Sequence, residues 1–187
     1  MVTAPRPWFR GVIGIMRIYR GKIKPIAEEI ISELISQGDI EVAEDQRGEV
    51  VLDVEAIIKE YLRMEEEISV QARETLQKRG VSYTEFGKLK RMLAEEKGFE
   101  MGDKSLLWIA NQIIECFLIN DRVGEVFTED YHLRKKIAQV FSRHLGMEEQ
   151  VDREVRDRLK HLTEDSPEWE IEYQKLYRQI AKRRGLI

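Results

Sequence analysis

At 187 residues the chain is long enough to bury a core, either as one large domain or as two small ones. Charged residues make up 35% of it, yet the two signs nearly cancel at a net charge of −4, which argues against wholesale wrapping of nucleic acid. The single Cys116 excludes an internal disulfide, and the longest apolar run near the start, Val12 to Met16, falls far short of the roughly 20 residues a bilayer span needs. The chain therefore reads as a cytoplasmic protein without membrane insertion.

Residues 1–24 carry Arg6, Arg10, Arg17, Arg20, Lys22 and Lys24 without one acid, interleaved with Trp8, Phe9 and Tyr19. One reading is a basic arm for nucleic acid or an anionic surface. The favoured reading is an extended segment whose aromatics cover the edge of the core while its arginines meet acids elsewhere. From Ile23 to Ile35 apolar residues recur at helical spacing, Pro25 is tolerated in the first turn, and Gly38 is a C-terminal stop. Ile40 to Val42 and Glu49 to Leu52 flank Gln46-Arg47-Gly48 and read as a short hairpin.

Asp53 to Lys78 is the longest helical pattern of the first half, with Asp53 as N-cap and Gly80 beyond its end. Val54, Ile57, Ile58, Tyr61, Leu62, Ile68, Ala72 and Leu76 line one side, and Glu65 falls on the same line. A carboxylate on a packing stripe needs a reason. Ser82 to Glu85 has the form of a capping box before a third helix that ends at Gly98. Asp103 is the expected cap of a fourth helix with a broad apolar surface, and Cys116 within it reads as a buried, inert thiol. A short loop follows, containing Val123, Gly124, Val126 and Phe127. A fifth helix runs from near Asp130 to Leu159, and Gly146 is a place for a kink. Ser166-Pro167-Glu168 then opens a last helix that closes on Lys182, Arg183, Arg184 and Gly185.

The chain also matches itself at an offset of 83 residues. Ile26-Ala27 falls on Ile109-Ala110, Ile30-Ile31 on Ile113-Ile114, Met64-Glu65-Glu66 on Met147-Glu148-Glu149, Arg73 on Arg156, Leu76 on Leu159 and Phe86 on Trp169. One gapless offset across three helices indicates a duplication. The expected organisation is a basic segment over 1–21, one repeat over 22–100 and a second over 101–187, the two forming one compact unit. The expected fold is mostly α: a duplicated bundle of about six helices with a short β-hairpin, its two long helices packed about a pseudo-twofold as a homodimer's would be. That arrangement favours a monomer over a homodimer.

The segments MRIYRGKIKPIAEEII from Met16, LDVEAIIKEYLR from Leu52, RGVSYTEFGKLKRMLAEEKG from Arg79, EVFTEDYHLRKK from Glu125 and WEIEYQKLYRQI from Trp169 carry a likeness to a known family. In them the chain resembles, over nearly its whole length, the bacterial domain-of-unknown-function family 507. The resemblance implies no activity, ligand, cofactor or site residues.

The duplication repeats one chemical oddity. Tyr61 with Glu65, and His144 with Glu148, are pairs four residues apart on the packing faces of the two long helices. They invite three readings: a small polar or metal site, a polar layer that fixes helix register, or glutamates turned to the rim beside Arg73 and Arg156. A single histidine without cysteines makes a poor metal constellation, so the two structural readings are favoured. No phosphate loop, nucleophile elbow or HExxH pattern occurs. No catalytic, cofactor-binding or metal-binding residue is nominated, and no cofactor is expected. The leading function is a non-catalytic helical interaction or assembly module whose partner is another protein. A nucleic-acid-associated protein using the N-terminal basic residues with Lys182, Arg183 and Arg184 is the alternative. An enzyme with an unrecognised site near Glu65, His144 and Glu148 is the third.

Overall fold

The 3.6-residue spacing of apolar side chains is realised as α1 (Arg20–Ser36), α2 (Arg47–Arg79), α3 (Phe86–Glu96), α4 (Ser105–Ile119), α5 (Asp130–Arg158) and α6 (Pro167–Arg183). Two strands, β1 (Ile40–Val42) and β2 (Val123–Val126), pair antiparallel. The structure is a computed structural model and describes residues 18–185 except 81 and 165. Arg6, Arg10 and Arg17 of the expected basic arm lie outside the described residues. The architecture is a mostly α-helical bundle with one short antiparallel strand pair. No described helix is long and apolar enough to cross a membrane.

Local sequence explains most of the boundaries. Behind α1, Gly38 takes φ +72°, which lets Asp39 N–H reach back to Leu34 O at 2.9 Å and Gly38 N–H to Ile35 O at 3.0 Å. The stop after α3 repeats this geometry at Gly98. The Ser166 hydroxyl accepts the Trp169 N–H at 3.1 Å and Pro167 occupies the first turn, so α6 starts as its sequence dictates. Ser82 instead caps a 3₁₀ turn, Tyr83–Glu85, that leads into α3. A second 3₁₀ turn, Gly102–Lys104, displaces the start of α4 from Asp103 to Ser105. Gly146 does not interrupt α5.

Two expectations are corrected together. Residues 49–52 do not form a strand, because α2 begins at Arg47 rather than at Asp53. Val50 is buried while Val51 is half-buried and Leu52 exposed, and Val50, Val54 and Ile58 continue one helical stripe. Helical burial overrode the β preference of adjacent valines. The partner of β1 is instead β2, read from sequence as a loop, with Ile40 opposite Val126 and Glu41 opposite Glu125.

The residues gather into two compact units, and each draws on both halves of the sequence. Of the described residues, unit 1 holds 18–64 and 102–144. Ile26, Ile30 and Ile31 of α1, Ile109 and Ile113 of α4, Ile58 of α2 and Phe141 of α5 are all sealed from water there. Unit 2 holds residues 65–101 and 145–187. One part of its core joins Ala72 and Leu76 of α2 to Phe86 and Leu89 of α3, and Val151, Val155, Trp169, Tyr173 and Ile180 are buried elsewhere in it.

Candidate functional site

The four residues singled out for a polar layer divide between the units, Tyr61 and His144 in unit 1, Glu65 and Glu148 in unit 2. In unit 1 Tyr61 is buried, and its ring meets Trp108 of α4 at 5.6 Å between centroids, tilted by 52°. That is an aromatic core contact of ordinary geometry. His144 turns to α1, where its Nε2 shares a short hydrogen bond with Glu29. Glu29 also accepts Arg143 Nε at 2.8 Å, and Arg143 reaches Glu33 one turn further along α1. Burial pushes the Glu29 carboxyl up, but the hydrogen bonds from Arg143 and His144 outweigh it and leave the group below its ordinary value. The cluster is an acidic edge of α1 clamped by a basic edge of α5.

In unit 2 Glu65 is a quarter exposed and its carboxylate lies 3.8 Å from Lys90 Nζ of α3. Glu148 is buried at 8% exposure. The rim reading brought Arg73 and Arg156 to these glutamates. Arg73 stands 3.6 Å from Glu66, whereas Arg156 donates through Nε to Asp152 at 2.7 Å and also meets Glu164. Among the described residues, no three His, Cys, Asp or Glu side chains converge as a metal ion would require. The metal reading thus finds no donor set there.

One residue that the sequence reasoning missed is Asp152. It is buried, accepts a short hydrogen bond from the Tyr173 hydroxyl, and is held by Arg156, whose guanidinium also lies over the rings of Trp169 at 5.2 Å and Tyr173 at 5.8 Å. The spacing of four between Asp152 and Arg156 was a visible signal, but Tyr173 is supplied by another helix. Arg73 lies over Phe86 at 5.7 Å, and these are the residues that the offset of 83 matches to Arg156 and Trp169. The family expectation can be judged beside this. The chain belongs to the family described as protein of unknown function (DUF507). The family's model matches residues 16–186, and thus nearly the whole chain. No curated protein matches significantly.

The described residues of the candidate basic patch in this family member divide between the units. Arg20, Lys22 and Lys24 open α1 in unit 1, where Lys24 lies 3.8 Å from Glu28. Lys182, Arg183 and Arg184 end α6 in unit 2, and both arginines bind Glu154, at 2.9 Å and 2.8 Å. Arg158 reaches the same carboxylate at 2.6 Å. Although desolvation opposes it, hydrogen bonds from Arg184 and Arg183 hold Glu154 below the usual carboxylate range. Two of the expected nucleic-acid contacts are therefore engaged internally. Cys116 is half-buried beside Asn120, and burial pushes its thiol up, away from the thiolate that nucleophilic chemistry needs.

Proposed function

We propose that the chain is a non-catalytic helical module that binds another protein. The observation that carries the reading is the end of α4, where two consecutive large aliphatic side chains face water, Leu118 at 62% and Ile119 at 83% exposure. Fully burying such a side chain is worth about 1.5–3 kcal/mol, and each forgoes the share that its exposed fraction represents while unpartnered. A partner that covers them recovers that energy. The titratable groups of the candidate layer support the same reading, since Glu65 is held in an ion pair with Lys90 and His144 in a hydrogen bond with Glu29.

The test uses the full chain as bait in an extract of its own cells, beside an Ile119→Asp variant. The variant keeps its helical circular dichroism and melting temperature, because the side chain is exposed, and loses the partner that the unsubstituted chain retains. Identical capture by both would sink the reading.

Duplication fits such a module, and two observations support it. β1 and β2 begin at Ile40 and Val123, and α2 and α5 at Arg47 and Asp130, in each case 83 residues apart. Ile40 opposite Val126 and Glu41 opposite Glu125 keep the register of a local twofold between the strands, which an irregularity then breaks where Val42 faces Val123. Light scattering should then report a monomer, the second repeat standing where a homodimer's partner would.

A further inference from the structure

Between α1 and the first turns of α2, unit 1 carries an open groove of about 920 Å³. Its lining holds five glutamates and the cations Lys24 and Arg47, and three of the glutamates are already paired, Glu28 with Lys24, Glu29 with Arg143 and Glu55 with Lys59. Glu44 and Glu49 have no salt-bridge partner among the described residues. The groove is also partly apolar: Pro25 and Val51 line it, and Leu52 is 53% exposed. A surplus of negative charge around an exposed aliphatic side chain suits a segment that carries arginines next to aromatic residues.

The same chain supplies such a segment. Residues 1–17 contain Arg6, Arg10 and Arg17, with Trp8 and Phe9 between them and no acidic residue. This stretch joins α1 directly ahead of Ile18, and the α1 wall of the groove begins at Lys24. From Lys24 to Ser32 that wall is about 12 Å long at 1.5 Å per residue. About four extended residues at roughly 3.3 Å each would cover it, so the segment has length to spare for doubling back.

We propose that residues 1–17 dock in this groove in cis, arginine guanidiniums on Glu44 and Glu49 and an aromatic side chain over Leu52. An external ligand that uses the groove must then compete with the chain's own N-terminus. Its local concentration is fixed by the tether.

Photo-crosslinking tests this in the full chain, with a benzophenone amino acid placed in turn at Trp8 and at Phe9. The expected products are intramolecular, run as monomer on a denaturing gel and map to residues 24–55. They fall several-fold in the Glu44→Gln/Glu49→Gln double variant, and likewise in about 1 M salt, where the screening length is only about 3 Å. Cross-links to a second copy, cross-links mapping elsewhere, a yield indifferent to both charge removal and salt, or no cross-link from either position would each overturn the proposal.

Discussion

Each unit buries an aspartate in a different way. In unit 1 Asp39 accepts Lys136 Nζ at 2.8 Å and 2.5 Å and the Thr128 hydroxyl at 2.6 Å, from partners 97 and 89 residues away. In unit 2 Asp152 takes its guanidinium from Arg156 on the next turn of the same helix, and only the Tyr173 hydroxyl comes from another element. The first carboxylate ties the end of α1 to the start of α5, whereas the second mostly orders its own neighbourhood. A buried ion pair is weak evidence of net stability, but removing one partner from it is costly. The cost should follow how completely the remaining partners can find water or a substitute.

The largest effect expected from breaking this contrast is at Asp39. Asp39→Ala leaves Thr128 and Lys136 without their acceptor and unlinks two distant segments, so it should cost about 3 kcal/mol in denaturant unfolding. Asp152→Ala should cost less, about 2 kcal/mol, because Arg156 keeps Glu164 and its place over Trp169. The offset counterpart of Asp152 is Ser69, whose hydroxyl only donates to the Glu65 carbonyl at 2.8 Å. Ser69→Ala therefore serves as the small control. Equal losses for the two aspartates would remove the distinction between a cross-chain tie and a local one.

The same contrast explains what the sequence made legible. Periodicity gave the helices, and glycines and Ser166 gave several of their ends, because those features are local. Strand pairing was misjudged, since a three-residue strand between polar stretches carries no sign of a partner 83 residues on, and the nearer valines offered a false one. Glu65 and His144 were recognised as residues needing partners, but Lys90 and Glu29 lie on other helices and only folding brings them close. Asp39 escaped notice because it follows a helix-stopping glycine, where an exposed turn residue is the ordinary expectation. Long-range polar contacts are set by packing, to which a single chain's spacing is blind.

A smaller effect in unit 1 depends on pH. Glu29 is held below its ordinary value of 4.5 by Arg143 and His144 against a desolvation cost. A carboxyl lowered in the folded state contributes stability that is present above the ordinary value and lost as pH falls through the folded one. Glu29 is more than a third exposed, so after solvent screening the contribution is about 0.5–1 kcal/mol. Glu29→Gln should therefore be less stable than the unsubstituted chain at neutral pH. The gap should close as pH drops below about 4.5, as urea titrations across that range would show. A gap that stays constant into acid would mean that packing of the side chain, not its charge, stabilises unit 1.

The smallest effect should come from Glu65. Its ion pair with Lys90 spans 3.8 Å and both side chains keep contact with water, so Glu65→Gln should shift stability by less than about 0.5 kcal/mol. Its offset counterpart Glu148 has only 8% exposure, and a neutral amide there changes a group that water cannot readily compensate. Glu148→Gln should then exceed Glu65→Gln in a thermal melt. Equal and negligible shifts would make both glutamates rim residues and leave the repeated motif without structural weight. A larger loss at Glu148 alone would mean that the two copies have diverged, one keeping its glutamate at the surface and the other enclosing it.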